Sequence, residues 1–234
     1  KIGFKNAFDF VDAIEAECKS RDINIVMNSF TWKYCKGFTY SSDETRSEMG
    51  LINEVFRLSC KQRTKSAIYS YTIMKYDDTL IHEDESCWGA NSTCQKLLQK
   101  ENCSVINIGV GKKGNSLLRG NTCLHALEEI NNVPYREFKI FTGLAKLDKN
   151  QATYEKHSEK LFVWNSKYLH TEYEWGALLE RIKGYESTHE DEAKEILRYE
   201  MKNLKEEGLK IFKENIVFPI DKRYQEAIIG KGES

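Results

Sequence analysis

Proline is nearly absent, with two residues in 234. Each proline removes a backbone donor and interrupts a helix or ladder, so this scarcity excludes Pro-rich linkers and favours continuous secondary structure. Net charge is nearly absent too, with 35 Lys and Arg against 36 Asp and Glu. No overall field therefore draws the chain to a polyanion or an anionic membrane, and a nucleic-acid site must be a local patch. There is no run of eighteen apolar residues and no signal-like leader, so no membrane partner is expected. No Cys-x-x-Cys, Gly-x-Ser-x-Gly, His-Glu-x-x-His or kinase signature occurs, which removes support from several large enzyme classes.

What is present is an ordinary globular mixture, 40% hydrophobic and 30% charged, which excludes disorder and fibrous repeats. The length is enough to bury a sizeable core, and residues 1–234 read as a single globular domain. Because the chain opens on Lys1, it is expected to be a piece of a longer polypeptide. The pattern of elements predicts an α/β or α+β fold, a mixed central sheet flanked by helices, with residues 185–234 as a helical C-terminal extension.

Seven cysteines, Cys18, Cys35, Cys60, Cys87, Cys94, Cys103 and Cys123, leave at least one thiol unpaired. Cys18 and Cys60 occupy apolar helix positions and read as core. The rest match no compact zinc pattern, and their scatter does not resemble a disulfide framework. An intracellular setting is expected, with secretion the alternative because two Asn-x-Ser/Thr sequons begin at Asn91 and Asn102.

Apolar residues Ala7, Phe8, Val11, Ile14 and Cys18 recur at three and four, predicting a first helix. Residues 23–27 read as a strand and 30–40 as an extended hairpin interrupted by Gly37. Ser41 and Glu44 form a capping box for a helix bearing Ile52, Val55, Phe56 and Cys60. Strands are predicted over 66–76 and 79–83, a short helix over 92–100, and a strand over 103–110 leading into a glycine-rich turn and a helix over 115–131. Residues 137–144 and 160–164 read as strands, with a helical turn near 153–157. Ser187 and Glu190 suggest a second capping box, opening a long amphipathic C-terminal helix with Leu197, Met201, Leu204, Gly208 and Ile211 on one side. A short helix over 221–229 ends the pattern.

Four features carry candidate chemistry. In the turn Gly109, Gly111, Lys112, Lys113, Gly114, Asn115 and Ser116, backbone amides at a helix start and two lysines suit a phosphate. Its spacing resembles a P-loop only in Gly109 and Gly114, and Asn115-Ser116 stands where Lys and a hydroxyl residue belong. Asp78, His82 and Asp84 offer ligands for Mg or Mn, and with a metal His82 and Asp84 become candidate catalytic groups. Arg57, Lys61, Arg63 and Lys65 form a basic stretch for a nucleic-acid backbone. His125, with Glu128 and Glu129 one turn on, is a candidate acid–base residue. Each has an ordinary counterpart: a plain turn, a solvated acidic loop, a helix C-terminus and a packed histidine.

The layout of residues 124–164 resembles that of ADP-ribosyltransferases. However, Thr142 stands in the place of their catalytic arginine, and the Ser-Thr-Ser strand and Glu-x-Glu turn are missing, so that family is not assigned. The expectation is a phosphate-recognising domain that binds a nucleotide or nucleic acid, with metal-dependent phosphoester hydrolysis as its chemistry. The alternative is a non-catalytic protein-interaction domain of a larger viral or regulatory protein.

Overall fold

The first apolar stripe folds as its spacing predicts. Asn6 caps helix α1, Ala7–Ser20, its side-chain oxygen accepting from the amides of Phe8 (2.9 Å) and Asp9 (3.0 Å). The computed structural model describes residues 5–60, 62–111, 118, 120–168, 173–188 and 195–230. After α1 come β1 (Val26–Asn28), β2 (Tyr40–Ser41), α2 (Leu51–Cys60), β3 (Tyr71–Ile73), α3 (Thr93–Gln99) and β4 (Ser104–Ile108). Then follow α4 (Leu124–Ile130), β5 (Arg136–Lys146), β6 (Glu155–Trp164), α5 (Gly176–Leu179) and β7 (Glu186–Ser187). The described chain ends with β8 (Ile196–Glu200), α6 (Met201–Glu214) and α7 (Lys222–Ile229).

This is the mixed helix-and-sheet architecture expected, with the described strands arranged in three small sheets: β1-β3, β2-β5-β6 and β4-β8-β7. The chain divides into two compact units. One comprises Lys1–Cys87, Asn91–Thr93 and Ile140–Leu161, the other Trp88–Ala90, Cys94–Lys139 and Phe162–Ser234. Among the described residues no helix is long and apolar enough to cross a membrane.

In the first unit α1 and α2 bury Phe10, Val11, Val55 and Phe56 against each other, with Ile14, Met27 and Cys60 at the margin. Burying each such side chain contributes about 1.5–3 kcal/mol. The segment 30–40 is a 3-10 turn, Trp32–Lys36, closed by Gly37 at φ 86°, instead of the expected hairpin. Tertiary contacts decide this: Tyr34 is buried and its hydroxyl donates to His157 O at 2.7 Å. Gly143 makes room for its ring, since a Cβ there would lie 2.9 Å from the Tyr34 Cε2 atom. The Ser41–Glu44 box closes a turn, through Thr45 N to Ser41 O at 2.9 Å, and α2 starts only after Gly50. The strand expected over 66–76 shrinks to β3, which pairs antiparallel with β1, and residues 78–80 form a 3-10 turn.

The strand is short because residues 66–69 wrap a buried carboxylate. Glu159 on β6 accepts from Ser66 Oγ at 3.0 Å, Ile68 N at 3.1 Å, Ala67 N, and Cys87 Sγ at 3.3 Å. His157 Nε2 lies 3.0 Å from it. Burial pushes the Glu159 carboxyl up, but the hydrogen bond from His157, the nearby His82 and the Ala67 amide outweigh it and hold it below the usual range.

In the second unit β4 pairs antiparallel with β8, Ser104 opposite Glu200 and Ile108 opposite Ile196. The long C-terminal helix is only partly realised, because residues 196–200 are a strand and α6 begins at Met201. Leu197 and Tyr199 are buried and Arg198 between them is exposed, the period of two that a strand imposes. Tyr199 Oη takes hydrogen bonds from Asn121 (3.3 Å) and Asn107 (3.5 Å). Helix α6 buries Met201, Leu204, Gly208, Ile211 and Phe212. Gly208 allows close approach, since a Cβ would meet Leu127 Cδ1 at 2.5 Å. Trp175 meets Phe218 and Phe212 edge-on, at centroid distances of 5.8 and 6.1 Å. The second expected capping box dissolves on the same ground: Ser187 lies in β7, and Glu190 lies outside the described residues. Strand β6 starts at Glu155, where a helical turn was expected.

Two outcomes follow. All seven cysteines are free, so a thiol reagent in denaturant without reductant is expected to count seven, and a lower count would reveal disulfides. Glu159→Ala leaves buried amides without an acceptor and is expected to cost about 3–5 kcal/mol of stability in urea unfolding. Because the folded carboxyl lies below its unfolded value, this contribution is present above about pH 4.3 and is lost as pH falls through the folded value. An unchanged urea midpoint in the variant would contradict the assignment.

Candidate active site

Helix α4 places His125 and Glu128 three residues apart, hence on one face. Its start is fixed by Asn121, whose Oδ1 accepts from Cys123 N at 3.1 Å, and by His125 N donating to Thr122 O at 3.0 Å. Both side chains point into the second unit, Glu128 with no exposed surface. His125 Nδ1 lies 2.5 Å from Glu128 Oε2, and Arg136 Nε lies 2.8 Å from the same oxygen. Arg136 opens β5 and is locked in place: Nη1 donates to Phe162 O at 2.8 Å and Nη2 to Tyr173 Oη at 2.9 Å. Tyr135 Oη stands 3.1 Å from both Glu128 Oε1 and Phe218 O. The indole of Trp88 covers the His125 ring at a centroid distance of 4.5 Å.

The electrostatics of this cluster are determined by burial and one ion pair. Burial pushes the Glu128 carboxyl up, but the Arg136 guanidinium outweighs it and keeps the acid ionised. Arg136 is correspondingly raised, the Glu128 charge overcoming its burial. Burial, reinforced by the Arg136 charge, pushes His125 down to about 4, so the ring is neutral at physiological pH. An ionised carboxylate can only accept, so Glu128 favours the tautomer with the proton on Nδ1 and the lone pair on Nε2, whereas the Arg136 Nη2–H group, 2.9 Å from Nδ1, can only donate and favours the other. Among the described residues Nε2 has no hydrogen-bond partner. In the tautomer that Glu128 favours, this neutral, buried and oriented imidazole is equipped to take a proton from a nucleophile at Nε2.

The other residues singled out in the sequence are placed differently. His82 is buried in the first unit, its Nε2 2.9 Å from Asp84 O, and burial lowers its pKa. The Asp84 carboxylate fastens a loop by accepting from Ser86 N and Asn91 N, both at 2.9 Å. Asp78 sits in the 3-10 turn Asp78–Leu80. Among the described residues no group of three or more His, Cys, Asp or Glu side chains is gathered as a metal would need. Gly109 and Gly111 take positive φ, 65° and 71°, and the Gly109 amide is already bound to Glu195 O at 2.8 Å. Lys112, Lys113, Gly114, Asn115, Ser116 and Lys61 lie outside the described residues.

Within the basic stretch, Arg57 is buried against Glu54 through two hydrogen bonds of 2.9 Å. Arg63 donates to Ser70 Oγ at 2.7 Å, to Thr45 O at 2.6 Å and to Ser29 O. Lys65 pairs with Asp148 at 3.4 Å. These cations tie their own chain together. A separate cleft of about 370 Å³ in the first unit is lined by Thr31, Lys33, Tyr34, Arg46, Ser47 and Glu48 among others, and by no member of the His125 cluster. Of that cluster, sequence reasoning named His125 and its neighbour Glu128 but missed Arg136, Tyr173 and Trp88, which no local spacing links to α4.

Comparison with known proteins identifies the family. The family model described as aminoglycoside 3-N-acetyltransferase matches residues 15–211. The solved structure of aminoglycoside acetyltransferase AAC(3)-IIb superposes with a TM-score of 0.67 at 13% identity, covering 90% of this chain and 85% of that one. AAC-VIa bound to sisomicin gives 0.64 at 15% identity, covering 89% and 85%. AAC-IIIb in binary complex with CoASH gives 0.60 at 12% identity, covering 87% and 83%. At these identities the structures speak to the fold. No curated protein matches the sequence. The family match overturns the expected phosphate-recognising, nucleotide- or nucleic-acid-binding hydrolase, and with it the non-catalytic interaction domain. The glycine turn and basic stretch that suggested the first are common in strand-to-helix turns and helix ends, and no enzyme motif had pointed to acyl transfer. The chain belongs to the aminoglycoside 3-N-acetyltransferase family.

Proposed function

We propose that this protein transfers an acyl group from a coenzyme A thioester to an amino group of an aminoglycoside, with His125 as the general base. The observation that carries the reading is the neutral imidazole whose Nδ1 is occupied by Glu128. Family membership supports the reaction class. Solved relatives of the same fold that hold sisomicin or CoASH support the two substrates.

The chemistry balances on these residues. The amine nitrogen attacks the thioester carbonyl carbon, a C–N bond forms, and the nitrogen's surplus proton passes to His125 Nε2. The C–S bond then breaks, and the same proton leaves on the thiolate as CoA thiol. Glu128 accepts the Nδ1 hydrogen throughout, so it orients the ring and stabilises the transient imidazolium. Trp88 packs over the ring and limits water on that side.

The test is to incubate the protein with acetyl-CoA and sisomicin and follow thiol release, with mass spectrometry of the drug. His125→Ala is expected to lower kcat about 10²–10⁴-fold while leaving the circular dichroism spectrum unchanged. Turnover undiminished in that variant would reject His125 as the base. Absence of acetyl transfer by the native protein to any of a panel of aminoglycosides would reject the substrate class.

A further inference from the structure

Two opposite charges converge on one nitrogen. His125 Nδ1 lies 2.5 Å from Glu128 Oε2 and 2.9 Å from Arg136 Nη2, and the two charged groups are themselves paired at 2.8 Å. A carboxylate alone beside a buried imidazole favours the imidazolium. A guanidinium at similar range cancels that attraction, and burial then decides for the neutral ring. Among the described residues the other groups facing this cluster bring no charge. Tyr173 and Tyr135 have hydroxyls that burial keeps protonated, and Trp88 presents its indole. Arg136 cannot swing away, because Phe162 O and Tyr173 Oη hold two of its nitrogens.

We propose that Arg136 is the positioning residue of this site: by taking up the Glu128 charge it keeps His125 a neutral ring. Its catalytic meaning rests on the acyl-transfer reading, whereas the charge state it imposes exists without any substrate. A His–Glu pair lacking the arginine would bind a proton near neutrality and stand blocked as a base for part of the time.

The experiment reads both levels. In ¹⁵N-labelled native protein, the His125 ring nitrogens are expected to show no titration from pH 8 down to pH 5. In Arg136→Gln the ring is expected to titrate at or above about 6.5. The variant's rate relative to native, a ratio in which the substrate amine's own titration cancels, should then fall about four- to tenfold between pH 8 and pH 6. Arg136→Lys keeps the charge and should restore both the silent ring and the flat ratio. A native ring that titrates near neutrality overturns the proposal even if Arg136→Gln does not fold. So does a variant whose rate drops equally at every pH while its ring stays silent, since that is the mark of a purely structural arginine. If the native protein transfers no acetyl group, the ring measurements still decide the role of Arg136, and the two failures remain distinct.

Discussion

A carboxylate with no exposed surface stays ionised only when something in the interior replaces water, and for Glu128 that is the guanidinium of Arg136. Much of the second unit's geometry around α4 follows from this pair. Arg136 must lie at the start of β5 to reach the helix, Phe162 O and Tyr173 Oη must accept from its Nη1 and Nη2, and Tyr135 must meet the second oxygen of Glu128. Removing either charge from such a pair strands the other, at a cost of about 3–5 kcal/mol. The pair is therefore structural and electrostatic together, and the imidazole beside it inherits its charge state from a balance it does not control.

The first unit solves the same problem by different means. Glu159 is equally buried, yet amides of residues 67 and 68, the Ser66 hydroxyl and a histidine take the place of a guanidinium. Partial charges distributed over a loop hold a carboxylate firmly but bring no full positive charge to bear on a neighbour. Glu159 consequently fixes backbone, shortening β3 and shaping residues 66–69, while Glu128 with Arg136 sets the protonation of a ring. The type of counter-charge, more than the depth of burial, separates a fold-holding acid from one that tunes a base.

How much of this was legible depends on distance along the chain. Helix α1 carries the expected stripe, and α3 and α7 lie within a residue of the expected 92–100 and 221–229, because the information is local. The segment 193–201 misled because Leu197 and Met201 are four apart and fit a helix, whereas the strand is declared by Leu197 and Tyr199 at a spacing of two. Residues 30–40 misled because Tyr34 is pulled inward by a carbonyl on β6, a partner no window of eleven residues contains. The site divides in the same way. His125 and Glu128 share a turn and could be paired by eye. Arg136, Tyr173 and Trp88 join them through tertiary contacts, and the basic and glycine-rich stretches drew attention because composition is visible before packing is.

On the proposed acyl-transfer reading, the same reasoning bears on how an imidazole this weak can serve an amine. A ring whose conjugate acid lies near 4 cannot deprotonate a free amine to any useful extent before the reaction begins. It need not. As the C–N bond forms, positive charge grows on nitrogen and its proton becomes strongly acidic, so a poor base suffices provided it is neutral and aligned at that moment. A stronger base would be partly protonated near neutrality and could not accept. For a step in which acidity is created by the reaction itself, orientation and constant availability outweigh basicity. A fixed arginine opposite a buried carboxylate supplies both without any change of conformation.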